Sequence, residues 1–343
     1  MTAPLTRCER GSCEESALSF SKYCWSHVEQ GPYRSALKEA VARADRSVPL
    51  TLNLKKVECE GLDFSHLNLK GSFLDQAKMS QCAFIGSNLS DANLIGASFT
   101  HCEFVGADLS RANFTRAKCA HSNFSFSDLR GTYLVEAVFR DTDFMGVVLW
   151  RANLWNADLS GAAHIKKKSF CHPSKPEDSR RARLLETDPL VALEAYRSVK
   201  HYFSEKGLVE DAGWAAYREL TMERKCFYRS KDIRYFPSLM MDILSGYTEK
   251  PDRVVLSSIG FILLFGLTYY LTNAVRPTMD IQTPTGLWDN IYFSFITFTT
   301  VGFGDFVPKA SVWVRMLVCA EAFSGPFMAG LFIFTLTRRY SAH

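Results

Sequence analysis

The 343-residue sequence lacks the features that mark many enzymes and exported proteins. Its start, MTAPLTRCERGSC, contains no apolar run, so we expect no secretory signal. No nucleophile–base pair, P-loop or dinucleotide-binding glycine loop is present, and we therefore assign no catalytic residue and expect a protein that is not an enzyme. Ten cysteines without an export signal indicate reduced thiols or metal ligands rather than a disulfide framework.

Charged residues are scarce in the last third of the chain, although they make up 22 % of the whole. The chain is charged and polar before about residue 250 and mostly apolar and aromatic after it. Its length allows two or three domains. We therefore expect a multidomain protein with a polar amino-terminal part and an apolar carboxy-terminal part.

The polar part contains an apolar residue at every fifth position, from Leu54 to Leu159, for 22 consecutive positions. Two residues before each of these lies a mostly small residue such as Ala107 or Ala112. A period of five fits neither a helix, with about 3.6 residues per turn, nor a strand, with about 2. It fits a square coil in which each pentapeptide forms one side and points both residues inward. Cys59, Cys82, Cys102 and Cys119 occupy these inward positions, and we interpret them as core filling.

Segments such as Ala-Asp-Leu-Ser-Arg (107–111) resemble the pentapeptide-repeat family. The resemblance implies a right-handed quadrilateral β-helix over residues 50–165, about 20 residues per coil and roughly 25 Å long at the strand spacing of about 4.8 Å. Some members mimic DNA with an acidic surface, but this segment has 10 Lys/Arg against 12 Asp/Glu. We therefore expect no nucleic-acid partner, and interpret the β-helix as a scaffold on which an unknown cytoplasmic protein or ligand docks.

Residues 1–30 contain a candidate zinc site in the pattern C-x4-C-x10-C-x2-H, formed by Cys8, Cys13, Cys24 and His27. These ligand types suit tetrahedral zinc, and a metal would explain how so short a segment folds. We expect a structural zinc knuckle; the alternative is a disordered cysteine-bearing tail. Residues 31–49 follow, with an amphipathic helix from Pro32 to Arg46 that we expect to cap the open end of the β-helix.

Residues 166–245 are predicted to connect the β-helix to the apolar part. A polar loop from Lys166 is followed by Asp188-Pro189, an N-cap with proline at the first helical position. A second helix is predicted from about 210 to 227. The pair resembles a single tetratricopeptide-type helical hairpin, which must pack on the β-helix or on a neighbouring subunit because one such unit cannot bury its own faces.

Residues 246–343 are predicted to cross a membrane twice. Residues 254–273 carry no charge, and at 1.5 Å per residue they span about 30 Å, the thickness of the hydrocarbon core. A buried helix of a soluble protein is the alternative. Residues 312–337 form a second apolar segment. Between them, residues 288–299 are too short to span and suit a re-entrant helix, which membranes tolerate only where it is buried in protein or lines water.

The re-entrant segment leads into Thr299-Thr300-Val301-Gly302-Phe303-Gly304-Asp305. The order of outer helix, pore helix, TVGFGD and inner helix resembles two-transmembrane potassium channels. The resemblance implies a homotetramer in a lipid bilayer, with potassium ions coordinated in a filter over 300–305 by the carbonyls of Thr300, Val301, Gly302 and Phe303 and by the Thr300 hydroxyl. Gly302 and Gly304 permit the backbone angles that this requires. Thr299 and Asp305 are predicted to support the filter, with Asp305 bonded to Tyr292 or Trp288.

Other residues of the apolar part modify this expectation. An acid that some bacterial channels carry behind the filter is replaced by Ile296, and the usual filter tyrosine by Phe303. Glu321 is an intramembrane acid, which we expect to face protein and accept a hydrogen bond from a pore-helix hydroxyl such as Thr297 or Thr299; a place in the ion path is the alternative. A gating hinge is predicted at Gly325 and Pro326, with Gly330 as a second candidate.

Basic residues flank both spans, and they predict which ends of the helices are cytoplasmic. One cluster precedes the outer helix and includes Arg229 and Arg234, and Arg338-Arg339 follow the inner helix. We expect a multi-pass inner-membrane protein with both termini in the cytoplasm. No arginine-rich voltage-sensing helix is present, and we expect regulation from the amino-terminal region. The predicted function is potassium-selective conduction; the alternatives are a membrane-anchored tetrameric scaffold with a weak or non-selective pore, and a non-selective cation channel.

Overall fold

The computed structural model describes residues 6–10, 12–46, 48–172, 174, 182–279 and 285–340, the side chains of 338–340 excepted. The chain forms two compact units, Met1–Cys226 and Phe227–His343. The first contains a β-solenoid of about five turns with helices at both ends. The second contains long apolar helices.

The solenoid forms because every pentapeptide contributes the same short, turned segment. Five parallel strands lie side by side in chain order, and each pairs with the strand exactly one turn, or 20 residues, later. They are β1 (Glu58–Glu60), β2 (Lys78–Ser80), β3 (Ser98–Thr100), β4 (Lys118–Ala120) and β5 (Val138–Arg140), followed by the pair β6 (Thr142–Asp143) and β7 (Ala162–Ala163). Parallel bridges at the same 20-residue spacing link the other sides. Four pentapeptides therefore complete each turn, which confirms the predicted solenoid.

The core of the solenoid consists of the residues that the period of five selects. Phe64, Phe84, Phe104, Phe124 and Phe144 are at most 1 % exposed and stack in one column, with ring centroids 4.6–5.4 Å apart. This column gives each turn a stacked aromatic contact with the next. The four cysteines interpreted as core filling are all buried.

Helices close both ends of this core. Helix α1 (Gln30–Arg43) buries Tyr33, Leu37 and Val41 in the same apolar cluster as the first turn. At the other end, a 3-10 helix (Lys167–Phe170) leads to α2 (Pro189–Glu205), where Asp188 accepts a hydrogen bond from the amide of Leu190, and to α3 (Val209–Ser230). These helices share the cluster with the last turns, so the hairpin packs on the solenoid of its own chain. Part of the predicted polar loop, residues 173 and 175–181, lies outside the described residues.

In its described residues, the second unit has four helices after the end of α3, and one short ribbon. Helix α4 (Tyr235–Ser245) precedes α5 (Pro251–Thr272), α6 (Leu287–Phe298) and α7 (Val312–Tyr340). Strands β8 (Val275–Pro277) and β9 (Phe306–Pro308) pair antiparallel. Helix α4 and the ribbon were not among the elements predicted from the sequence.

Two helices of this unit are long and apolar enough to span a membrane. The segments Pro251–Thr272 and Val312–Thr337 have mean hydropathies of 2.0 and 1.7, and 17 % of the most apolar window of each is buried within the chain. A core helix of a soluble protein would be mostly buried, so the alternative of a soluble core helix is disfavoured. The exposed apolar surface of these helices suits lipid.

Candidate functional site

The segment between α6 and β9 alternates its backbone conformation. Thr300, Gly302 and Gly304 have φ values of +57°, +53° and +80°, whereas Val301 and Phe303 are not left-handed. Glycine is the residue that adopts positive φ without steric cost, and two of the three positions are glycines. A backbone that alternates in this way can turn successive carbonyl groups toward one side, which is the arrangement that ion-coordinating carbonyls need.

The amide groups at the start of this segment are bound to the end of α6. The amides of Val301 and Gly302 donate to the carbonyl of Ile296 at 2.9 and 3.3 Å, and the amide of Thr300 donates to the carbonyl of Thr297 at 3.0 Å. Helix α6 therefore holds the first three residues of the segment through their amides. Among the described residues, no group donates a hydrogen bond to the carbonyls of Thr300 to Phe303, so these carbonyls remain available as acceptors.

The other end of the segment is attached to the loop after β8. Thr278 donates from its amide to the carbonyl of Asp305 at 2.9 Å and from its hydroxyl to the carbonyl of Gly304 at 2.7 Å. The carbonyls of Gly304 and Asp305 therefore accept hydrogen bonds from within the chain, in contrast to the carbonyls of the preceding residues. The role of Thr278 had no signal in the sequence, because it depends on pairing between β8 and β9.

The side chains of the segment are exposed within a single chain. Val301 is 53 % and Phe303 71 % exposed, so no part of the described chain braces them. Asp305 lies near the Tyr292 hydroxyl, one of the two partners proposed for it from the sequence. Trp288, the other alternative, is 78 % exposed.

Glu321 of α7 is completely buried where α7 meets α5 and α6. Its carboxyl group accepts a hydrogen bond from the Tyr269 hydroxyl of α5 at 2.6 Å and another from the Ser294 hydroxyl of α6. Glu321 therefore faces protein, as predicted, but its pore-helix partner is Ser294 and not Thr297 or Thr299. The reason is helix geometry, since Ser294 lies on the face of α6 that packs against α5 and α7.

The predicted hinge lies at a close contact between helices. A Cβ atom added at Gly325 would lie 1.7 Å from the carbonyl oxygen of Phe298, the last residue of α6. Gly330 has open space around its added Cβ atom. Pro326 lies inside the continuous helix α7. Gly325 therefore permits the inner helix to touch the base of the filter segment, a packing role in addition to the predicted flexibility.

The four candidate zinc ligands converge at the amino-terminal end. The ligand atoms of Cys8, Cys13, Cys24 and His27 all lie within 4.8 Å of one another. The sulfur atoms of Cys13 and Cys24 are 3.8 Å apart, and His27 Nδ1 is 3.5 Å from Cys8 Sγ and 3.3 Å from Cys24 Sγ. A zinc tetrahedron has edges of about 3.8 Å between sulfurs and about 3.5 Å between sulfur and nitrogen. The donor set therefore fits zinc in type and in spacing.

Hydrogen bonds attach this cluster to the first turn of the solenoid. The Asn53 side chain donates to the carbonyl of Ala17 at 2.5 Å, and its backbone exchanges hydrogen bonds with Ser19. Lys56 pairs with Glu15. Burial acts to raise the pKa of Cys8. Hydrogen bonds from backbone amides and from His27 outweigh this effect and lower the pKa to about 6. The lowered pKa favours the thiolate that a metal requires.

Comparison with known protein families agrees with this division of the chain. Residues 257–342 match the family model described as ion channel. Residues 77–116, 112–151 and 122–162 match the model for pentapeptide repeats. The chain therefore combines an ion-channel segment with a pentapeptide-repeat segment, and neither family describes an enzyme. The two apolar helices and the ion-channel segment make it a membrane protein.

Two plant proteins are similar to the ion-channel segment. Two-pore potassium channel 1 of Arabidopsis thaliana is 37 % identical over 78 residues, which are 23 % of this chain and 20 % of that protein. Two pore potassium channel b of Oryza sativa subsp. japonica is 38 % identical over 75 residues, 22 % of this chain and 20 % of that protein. The chain thus spans about a fifth of the length of these relatives.

Solved structures overlap the solenoid. QnrB1, a plasmid-mediated fluoroquinolone resistance protein, is 21 % identical and covers 31 % of this chain and 71 % of its own, with a TM-score of 0.22. Rfr23, a pentapeptide repeat protein of the cyanobacterium Cyanothece 51142, is 22 % identical and covers 32 % and 82 %, with a TM-score of 0.18.

Proposed function

We propose that four copies of this chain form a potassium-selective pore. The observation that carries the proposal is the filter segment, in which positive φ at Thr300, Gly302 and Gly304 alternates with other backbone conformations between α6 and α7. A dehydrated potassium ion needs a cage of oxygens, and rings of backbone carbonyls can supply it. One chain offers one carbonyl to each ring, so a cage requires several copies around an axis.

The coordinating groups would be the carbonyls of Thr300, Val301, Gly302 and Phe303, together with the Thr300 hydroxyl. The amides of Thr300, Val301 and Gly302 donate hydrogen bonds to carbonyls of α6, and the carbonyl of Gly304 accepts one from the Thr278 hydroxyl. The exposed side chains of Val301 and Phe303 would be covered by neighbouring copies, because large apolar groups beside a filter need packing to hold it rigid. Neighbouring copies in a tetramer would thus supply the packing around Val301 and Phe303 that a single chain lacks.

Gly302→Ala tests the filter, and Gly260→Ala is its matched control. Both added methyl groups have open space around them, but Gly302 has φ +53° and Gly260 is in the helix α5. Alanine at a left-handed position costs about 1–2 kcal/mol and favours a changed backbone. We expect potassium flux into proteoliposomes, and its excess over sodium flux, to be lost in Gly302→Ala and retained in Gly260→Ala. Equal potassium flux and selectivity in both variants would contradict the proposed filter.

The competing function is a membrane-anchored tetrameric scaffold whose pore conducts weakly or without selectivity. The solenoid favours neither function over the other. Planar-bilayer recording of the wild-type protein under a potassium–sodium gradient separates them. A reversal potential near that of potassium supports selective conduction, equal permeability indicates a non-selective pore, and no current indicates the scaffold.

The proposed location is the inner membrane, with both termini in the cytoplasm. Basic residues before α5, including Arg229, Lys231 and Arg234, support this orientation by the positive-inside rule. The side chains of Arg338 and Arg339, which support it at the other end, lie outside the described residues. Proteolysis of sealed inverted vesicles should digest the solenoid from outside; protection of it there would reverse the orientation.

We also propose a structural zinc ion at Cys8, Cys13, Cys24 and His27, which would hold the amino-terminal segment folded against the first turn. The support is the tetrahedral spacing of the four donors. Elemental analysis of the full chain should give one zinc per chain, lost in Cys13→Ser and retained in Cys319→Ser, whose thiol is exposed elsewhere. Zinc retained in Cys13→Ser would refute the site.

Regulation is proposed to enter through the solenoid. A cytoplasmic protein or ligand docking there would shift residues 246–251, which join α4 to α5, and change the bend of α7 near Gly325. Removing residues 1–165 should alter the open probability in single-channel recordings while potassium selectivity is kept. An open probability unchanged under every condition would refute this coupling.

A further inference from the structure

Three thiols and a thioether are gathered on one side of the solenoid core, in its first three turns. Cys59 of β1 and Met79 of β2 are partners in the strand register. The Cys82 sulfur adjoins the sulfurs of Cys59 and Cys102, and the Cys102 thiol donates to the carbonyl of Met79 at 3.4 Å. All four residues are at most 8 % exposed. This side of the core is therefore a patch of soft sulfur ligands.

Backbone amides stabilise negative charge on these sulfurs. The amide of Leu62 donates to the Cys82 sulfur, and the amide of Cys82 donates to the Cys102 sulfur. One turn further, the amide of Cys102 donates to the Ser122 hydroxyl at 3.1 Å. The contacts with Cys102 and Cys59, together with backbone amides, lower the pKa of the Cys82 thiol. A lowered pKa favours the thiolate, which is the form that binds metals.

The three solenoid thiols form a row and not a cage, which does not suit zinc. Among the described residues, the only group of three or more such ligands with all its ligand atoms within 4.8 Å of one another is the amino-terminal one of Cys8, Cys13, Cys24 and His27. Structural zinc takes four ligands in a tetrahedron. Copper(I) also binds thiolates and thioethers, and it accepts two sulfurs in a straight line. The row therefore fits copper(I) better than zinc.

The spacing along the row suits an ion between two sulfurs. Cys82 and Cys102 occupy equivalent positions of adjacent turns, next to the bridge between Ala83 and Glu103. Neighbouring strands lie about 4.8 Å apart. Two metal–sulfur bonds of about 2.3 Å in a line span nearly the same distance. A disulfide needs Cβ atoms about 3.8 Å apart, so it would require the two turns to move together by about 1 Å.

An open cavity leads to the row from outside. Cys59 and Met79 line this cavity, which has a volume of about 580 Å³ and lies between α1 and the first strands. Three basic side chains, Arg34, Lys38 and Lys78, line it against two acidic ones. Where glutathione keeps thiols reduced, it also carries copper(I) as anionic complexes. A basic excess at the cavity attracts such complexes.

We propose that Cys82 and Cys102 hold one copper(I) ion between them, and that Cys59 and Met79 receive it from the cavity. Each chain thiol that binds the ion displaces a glutathione thiolate and passes its proton to it, so the exchange needs neither an oxidant nor a reductant. The bound ion would link the second and third turns of the solenoid. The site is independent of the proposed pore and of the proposed zinc ion.

Copper uptake by the full-length chain tests the proposal. The purified protein is dialysed anaerobically against copper(I)–glutathione, and copper and zinc are measured on the same sample. Cys82→Ser removes a proposed ligand but keeps an acceptor for the amide of Leu62, as Ser122 does for Cys102. Cys119→Ala is the matched control, because it removes a buried thiol of the same core whose pKa is raised by burial alone.

We expect one copper per chain in the wild type and in Cys119→Ala, with the zinc content unchanged. In Cys82→Ser the copper affinity, measured by competition with bicinchoninate, should fall at least about 10-fold, because even outer contacts of metal ligands are worth about 10–100-fold. Cys102→Ser should lose affinity in the same way, and it takes the place of Cys82→Ser if that variant fails to fold.

The other outcomes overturn the proposal. Equal copper affinity in the wild type and in Cys82→Ser would show that this thiol is not a ligand. Copper gained only as zinc is lost would place the copper at the amino-terminal ligands. No copper uptake by the wild type would leave the row as core filling. A disulfide between Cys82 and either neighbour, found by peptide mass in protein purified without added oxidant, would show a redox pair instead of a metal site.

Discussion

Helix α7 approaches the end of α6 so closely at Gly325 that a larger residue must displace one of them. The Cβ atom of an alanine there would lie 1.7 Å from the carbonyl oxygen of Phe298. An ordinary carbon–oxygen contact is about 3.3 Å. Gly325→Ala therefore requires a shift of about 1.6 Å in α7 or in the residue that leads into the filter.

The size of the effect follows from what obstructs the methyl group. Overpacking costs about 1–3 kcal/mol, and the upper end applies because the obstacle is a backbone carbonyl that cannot change rotamer. Alanine offsets about 0.8–1 kcal/mol through its better helix propensity. We expect Gly325→Ala to lower the free energy of unfolding by about 2 kcal/mol. Gly330→Ala in the same helix meets no atom within 4 Å and should be neutral or stabilising.

Thermal unfolding in detergent and potassium flux in proteoliposomes measure the two consequences. Gly325→Ala should unfold at a lower temperature and change flux, because the shift reaches the residue before Thr299. Gly330→Ala should match the wild type in stability. If both variants unfold like the wild type, the close contact with Phe298 is refuted and only a role in flexibility remains for Gly325.

Three further predictions concern the buried carboxyl group, the solenoid core and a surface ion pair. Glu321→Leu removes the acceptor of two buried hydroxyls and should destabilise the membrane unit by about 2 kcal/mol or more. Tyr269→Phe removes only one hydrogen bond and should cost about 1 kcal/mol. Equal losses of stability in thermal unfolding would contradict a carboxyl group shared by two hydroxyl donors. Phe104→Ala should destabilise the solenoid by about 3–5 kcal/mol in urea unfolding, because the Phe104 ring is fully buried between two other rings. Phe126 is 61 % exposed, so Phe126→Ala should change the stability by less than about 1 kcal/mol. Similar losses in the two variants would refute the stacked core. Arg111 donates two hydrogen bonds to Asp91 and lowers the pKa of that carboxyl, so the pair stabilises the fold above the unfolded-state pKa of about 3.9 and this contribution is lost as the pH falls. The Arg111 and Asp91 side chains are 60 % and 38 % exposed, so Asp91→Asn should cost at most about 0.5 kcal/mol near neutral pH and nothing in acid. A loss that persists in acid would exclude the ion pair as its cause.

The inward residues of the solenoid were predictable because the repeat is local. Each pentapeptide repeats the same backbone, so residues such as Phe84 and Ala107 are buried wherever the period puts them. The convergence of Cys8, Cys13, Cys24 and His27 was predictable for a similar reason, since ligand spacing within one short segment restricts where the donors can lie. The motif in residues 299–305 was recognisable because glycine adopts a positive φ more easily than any other residue, and Gly302 and Gly304 both have positive φ.

Contacts between segments distant in sequence were decided only in the tertiary structure. Ser294, rather than Thr297 or Thr299, bonds to Glu321 because the packing of three helices selects one face of α6. Thr278 reaches the filter through the β8–β9 ribbon, whose strands are too short to show a period.

Helix α4 shows most clearly why sequence alone was insufficient. Its alternation of apolar and polar residues is that of any amphipathic helix, and the side that faces outward depends on Asp242 pairing with Arg253 of the next helix. Local sequence patterns determined which segments form the solenoid, the cysteine–histidine cluster and the apolar helices. The tertiary structure alone decided which faces they present, because orientation depends on the partner that each face meets.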